Sequence, residues 1–138
     1  MNETSGEKRN GSMNEQPALN LIRTYPRLYG SLASIDCGAG WFDLLDRLSM
    51  QLEAYNTAYP DAPVRALQVK EKFGGLRFYY AGMAEHPPYV AAMVEHACMQ
   101  ADRTCENCGA VPAVRRGGGW IRTLCDACEA SRKADSNG

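Results

Sequence analysis

The chain has 138 residues, 45% of them hydrophobic, with 15 Lys and Arg against 16 Asp and Glu for a formal net charge of −1. That length suits one domain or one domain plus a small appendage. The balanced charge argues against simple binding to a nucleic-acid backbone, and no apolar run approaches the roughly 18 residues that a bilayer span needs.

Residues 1–13 combine Gly, Ser, Asn and charges without apolar periodicity and are expected to form a disordered leader. They hold no apolar segment of the secretory type, so the expected location is cytoplasmic. Pro17 follows Asn14, Glu15 and Gln16, a helix opening that would turn Leu19, Leu21 and Ile22 inward and end before Pro26. Residues 26–40 are rich in Gly and Ser and are expected to form an ordered loop. The clearest helix spans 41–59, where Trp41, Leu44, Leu45, Leu48, Leu52, Tyr55 and Tyr59 recur at helical spacing.

Residues 64–73 and 76–81 then alternate as two strands around Gly74-Gly75, a dipeptide suited to a tight hairpin turn. Leu67, Val69 and Phe73 would share one face of the first strand, and Leu76, Phe78 and Tyr80 one face of the second. Pro87-Pro88 opens a third helix whose apolar stripe is Val90, Met93, Val94, Ala97 and Ala101. The expected fold class is therefore α+β, with helices packed on a central β-hairpin. The body would span 14–102, a metal-binding segment 103–133, and a disordered tail 134–138.

The strongest chemical signal is Cys105-Glu-Asn-Cys108, sixteen intervening residues, then Cys125-Asp-Ala-Cys128. A C-x2-C turn aims two sulfurs at one ion, and two such turns complete a closed tetrahedral shell of thiolates. The expected cofactor is one structural zinc ion. Thiols stay reduced in the cytosol, which favours metal ligation over disulfides. Four thiolates and one Zn2+ would take the net charge to about −3. Between the pairs, 111–115 and 120–124 would form a hairpin across Gly117–Gly119, with the last two ligands at a helix start. That order describes a treble clef, and a zinc ribbon is the alternative. His86, His96, Cys37 and Cys98 fall outside the ligand pattern.

Arg115, Arg116, Trp120 and Arg122 join guanidinium groups to an aromatic ring, a combination that can contact a partner or a nucleic acid. The plainer alternative packs Trp120 against the third helix, with the arginines offsetting the charge of the metal site. Lys70, Lys72 and Arg77 form a second basic face on the central hairpin, and alternation alone would account for them as the solvent side of a half-buried sheet. The two basic elements could still combine into one patch. No nucleophile motif and no phosphate-cradling loop is evident. The polar loop of Ser31, Ser34, Asp36 and Cys37 is where an unfamiliar active site would lie.

Several stretches together are distinctive. They are Tyr25-Pro-Arg-Leu-Tyr29, Cys37-Gly-Ala-Gly-Trp-Phe-Asp43, Val69-Lys-Glu-Lys-Phe-Gly-Gly-Leu-Arg-Phe78, Thr104-Cys-Glu-Asn-Cys-Gly109 and Gly118-Gly-Trp-Ile-Arg-Thr-Leu-Cys125. Across roughly residues 20–130 the chain resembles small uncharacterised proteins of phages and prophages of Gram-negative bacteria. The resemblance implies a phage-type accessory protein that binds a host protein, such as a defence complex or nuclease. The expected function is thus a non-enzymatic, zinc-stabilised binding module without membrane association. A nucleic-acid-binding regulator using the basic hairpins is the alternative.

Overall fold

Two prolines and one long apolar stripe set the helical half of the fold. The computed structural model describes residues 15–137, so the expected leader lies outside the described residues. Helix α1 spans Glu15–Thr24, and Pro26 then opens the single turn α2, Pro26–Tyr29. A short 3-10 turn, Ala39–Trp41, leads into α3, Phe42–Ala58. Pro88 occupies the first turn of α4, Pro88–Ala101, where its missing N–H leaves no intrahelical bond unmade.

Strands β1, Ala66–Lys72, and β2, Gly75–Tyr80, form the antiparallel hairpin. The turn residues are Phe73 and Gly74, both at positive φ (53° and 81°), and Gly75 is already paired with Lys72. This is the geometry of a two-residue hairpin turn that follows the twist of the strands. A second small sheet pairs β3, Val114–Arg116, with β4, Arg122–Leu124, before α5, Asp126–Asn137. The fold is α+β, as the periodicities predict.

The main core joins α1–α4 to one face of the β1–β2 hairpin, with Trp41, Tyr29, Leu28, Leu45 and Leu52 fully buried. Leu76, Phe78 and Tyr80 point inward together, as alternation requires. Leu67 and Phe73 do not: they are 57% and 63% exposed. The pairing register shifts between Ala66 and Gln68, which puts Ala66 and Val69 inward together and turns Leu67 out. Phe73 lies beyond the strand, in the turn. Tyr59, expected on the buried stripe, is 52% exposed because α3 ends at Ala58.

Residues 26–40 are more structured than their Gly and Ser content suggests. Leu28 and Tyr29 enter the core, and the Tyr29 hydroxyl shares a 2.6 Å hydrogen bond with buried Ser49. Asp36 bridges to β1, donating its N–H to Val69 and accepting from the Glu71 N–H. Helix α5 runs to Asn137, past the boundary at 133 expected for the ordered segment. Among the described residues, no helix is long and apolar enough to cross a membrane.

Two buried polar groups give measurable consequences. The Asn56 amide accepts from Val64 N–H at 2.7 Å and donates to the Val64 carbonyl at 3.1 Å, tying the end of α3 to the chain entering β1. Asn56→Ala strands both backbone groups and should lower stability by about 3 kcal/mol in urea denaturation. Burial and its hydrogen bond to Asp46 push the Tyr25 hydroxyl up to about 12. A raised folded-state pKa stabilises the fold below the unfolded value near 10, and that contribution is lost as pH rises toward 12. Tyr25→Phe should therefore flatten the loss of stability above about pH 10, read as urea midpoints across the alkaline range.

Candidate metal centre

Each C-x2-C pair is shaped by its own backbone. The first knuckle closes through Gly109 N–H to the Cys105 carbonyl at 2.8 Å, with Gly109 at a φ of 85°. Cys105 N–H in turn donates to the Ala110 carbonyl. The Cys108 N–H points at Cys105 Sγ (3.5 Å), and the Cys128 N–H points at Cys125 Sγ (3.4 Å). The Asn107 amide reaches across to Cys128 Sγ at 3.3 Å. Cys125 directly precedes α5 and Cys128 lies in its first turn, where helix-terminal N–H groups favour negative sulfur. Knuckle, hairpin and ligand-bearing helix make the treble-clef order rather than the ribbon.

The four Sγ atoms lie within 4.8 Å of one another, and Cys108 and Cys125 are 3.7 Å apart. A tetrahedron with metal–sulfur bonds of 2.3 Å has edges of roughly 3.8 Å, so the spacing fits one tetrahedral ion. Burial alone would raise the Cys105 thiol, but backbone hydrogen bonds from Cys125, Cys108 and Asn107 outweigh it and bring it down to about 6. At Cys128 the Asn107 amide pulls the other way, yet burial and the three neighbouring thiols push it up to about 12. Four sulfurs this close cannot all ionise without a compensating cation. A metal ion resolves that conflict, and the donor set therefore fits one.

The knuckle is sealed against the body through a glycine loop. Gly40 N–H donates to the Glu106 carbonyl at 2.7 Å, Gly38 N–H to the Glu106 carboxylate at 3.0 Å, and Trp41 Nε1 to the Thr104 carbonyl at 2.8 Å. A Cβ on Gly40 would collide with the backbone of Cys105, Glu106 and Gly109. On the other side, Glu106 N–H donates to the Thr123 carbonyl, and the buried Thr123 hydroxyl donates to the Gly74 carbonyl at 2.7 Å. Burial raises the Glu106 carboxyl, and the Gly38 N–H and Arg122 offset part of that rise.

The candidate contact residues divide. Arg115 pairs with Asp102 at 2.6 Å, Arg116 with Asp126 at 2.7 Å, and Arg122 with buried Glu106 at 3.7 Å. These arginines brace the segment internally. The alternative that packs Trp120 on the third helix is not met: its side chain is 70% exposed, and Arg132 of α5 holds the Trp120 carbonyl. The reason is the register of the small hairpin, in which Val114 pairs with Leu124 and a five-residue turn carries Trp120 outward. Ala113 N–H, on the approach to β3, bonds the Arg103 carbonyl instead of the partner strand. Lys70, Lys72 and Arg77 share the outward face of the β1–β2 hairpin, by their pairing Lys70 to Arg77 and Lys72 to Gly75. Lys72, Arg77 and Arg115 line one groove; Arg122 and Trp120 line other surfaces.

A cleft of about 410 Å3 lies at the polar loop of Ser34 to Cys37, lined by Ser34, Asp36, Cys37, Glu106 and Arg122 among others. Burial, with the negative charges of Glu106, Asp36 and Glu71, pushes the Cys37 thiol well above its ordinary range. It is held as a neutral thiol, the poor nucleophilic form. Sequence reasoning missed Glu106, Thr123 and the glycines Gly38 and Gly40. The signal for Glu106 was its position inside the first knuckle, and for the glycines their spacing just before Trp41.

The fold and the site define an α+β protein with a C-terminal cluster of four cysteines that could hold a metal ion. No protein-family model, no curated protein and no solved structure matches the chain.

The glycine seal makes a sharp prediction. Gly40→Ala should cost about 3 kcal/mol in thermal or urea unfolding, because the added carbon meets backbone on three sides. Gly117→Ala, where a Cβ meets nothing within 4 Å, should change stability by less than about 0.5 kcal/mol.

Proposed function

We propose that the chain is a zinc-stabilised, non-enzymatic accessory protein of the phage type, which binds a protein of its bacterial host in the cytoplasm. Inhibition of a defence complex or nuclease is the consequence such binding would have. The observation that carries this reading is the closed set of four sulfurs. With every tetrahedral position filled by thiolate, an ion there has no vacancy for substrate or water, so it serves folding rather than chemistry. Tetrahedral four-thiolate geometry suits zinc or iron, and zinc is the redox-inert choice for a structural role. The Cys37 thiol in the polar cleft is held neutral by burial. The resemblance to phage and prophage proteins supplies the host-directed part of the reading.

Two measurements test it. Elemental analysis of purified protein should give one zinc per chain, and acidification should release it, since protons compete with the metal for thiolate sulfur. Iron, or no metal, would contradict the zinc assignment. Affinity capture from a Gram-negative host lysate should yield one stoichiometric protein that survives nuclease treatment. An eluate without it, or one that disappears on nuclease treatment, would count against protein binding.

The exposed Trp120 favours a second reading, nucleic-acid contact. It lies in a cleft of about 540 Å3 with Arg122, Arg132 and Lys133. On that reading single-stranded nucleic acid should bind at low salt and weaken steeply as salt rises.

A further inference from the structure

One residue stands in a conformation its side chain disfavours. Phe73 has a φ of 53°, and among the described residues it is the non-glycine position with positive φ. A two-residue hairpin turn of this type prefers Asn, Asp or Gly at that place, because an ordinary side chain crowds the backbone there. An exposed Phe alone would need no explanation. An exposed Phe held in a strained turn does, since strain of this kind persists where the surroundings over-determine it and is concentrated at functional positions.

The surroundings do over-determine it. The Glu71 carboxylate accepts from Gly74 N–H at 2.8 Å. The Gly74 carbonyl is held by the buried Thr123 hydroxyl at 2.7 Å and by Arg115 at 3.4 Å, both from the metal-binding segment. The metal-bearing segment thus clamps the turn that presents Phe73.

Phe73 forms one wall of a groove of about 560 Å3 between the hairpin and α4. Met99, 64% exposed, lines it from α4, and Leu76, Val94 and Cys98 line it as well. Its cations are Lys72, Arg77 and Arg115, and its acids are Glu95 and Asp102. Asp102 is engaged by Arg115, which leaves two cations against one acid. Among the described residues, neither Lys72 nor Arg77 has a carboxylate partner, although Lys72 sits 5.5 Å over the Phe73 ring.

We propose that the Phe73–Met99 groove is the protein-docking surface, and that its occupant is an acidic amphipathic segment. Apolar side chains of that segment would enter between Phe73 and Met99, and its carboxylates would meet Lys72 and Arg77. The inference rests on the reading of the chain as a protein binder and names the surface and the chemistry of the partner.

The test uses the full metal-loaded chain and two fluorescent peptides. Both carry Leu on one helical face; one carries Glu and the other Lys on the opposite face. The Glu peptide should bind with a salt-sensitive anisotropy signal, and the Lys peptide should not. Phe73→Asn should weaken the Glu peptide about thirtyfold, as loss of an aromatic anchor does. The same substitution should raise the melting temperature by roughly 3 °C, because Asn accepts positive φ. Arg77→Glu should weaken binding about tenfold or more. The proposal is overturned if the Glu peptide does not bind at low salt, if both peptides bind equally, or if Phe73→Asn leaves binding unchanged. Displacement of the Glu peptide by a single-stranded oligonucleotide would overturn it in favour of nucleic acid. Lysate capture separates the two levels. A host protein captured equally by wild type and Phe73→Asn removes the groove but keeps the protein-binding reading, whereas no captured protein from either removes both.

Discussion

Everything C-terminal to α4 depends on a close approach between two backbones. Gly38 and Gly40 lie against the knuckle of Cys105–Gly109 with no room for a side-chain carbon at Gly40, and three hydrogen bonds from this loop close the contact. A short segment with two three-residue strands and a small cluster of Cys105, Ala113, Leu124 and Cys125 buries too little apolar surface to hold itself. Docking on the body, together with an ion held by the four cysteines, would supply what the segment lacks. If the ion is zinc, as proposed, its ligation would contribute on the order of 10 kcal/mol of binding free energy coupled to local folding, ample for this purpose.

The same contact runs in both directions. Trp41 is wholly buried at the start of α3, and its indole N–H ends on the Thr104 carbonyl, one residue before the first ligand. Thr123 and Arg115 carry the segment's grip onward to the Gly74 carbonyl at the tip of the main hairpin. Body loop, knuckle, small hairpin and main turn thus form one continuous chain of hydrogen bonds. The four-cysteine segment, in this arrangement, holds the turn at Gly74 some distance from its own sulfurs.

How much was legible in the sequence follows from the range of each interaction. The clustering of the four cysteines was readable because chelation imposes its own spacing on the chain, and α3, α4 and the inward face of β2 because burial imposes period. Leu67 and Phe73 were misplaced because strict alternation hides a register shift and a turn that begins one residue early. Whether Trp120 packs or points outward stayed open in the sequence because the pairing of Val114 with Leu124 is fixed by long-range bonds to the knuckle, which no local pattern encodes. The arginines read as contact residues are mostly braces, since their acids Asp102, Glu106 and Asp126 sit ten or more residues away in the chain. The strained Phe73 was invisible for a related reason: only the backbone angle distinguishes it from an ordinary strand residue.

Coupling between metal and body is the central claim, and amide hydrogen exchange of the full chain with and without zinc tests it most directly. With metal bound, residues 103–137 should be protected together with the loop at 38–41 and the turn at 73–75. Removing the metal should abolish protection throughout the C-terminal segment and loosen both body elements, while α3 and α4 keep theirs. A metal-free chain with an equally protected segment, or a body loop and turn indifferent to the metal, would contradict the account.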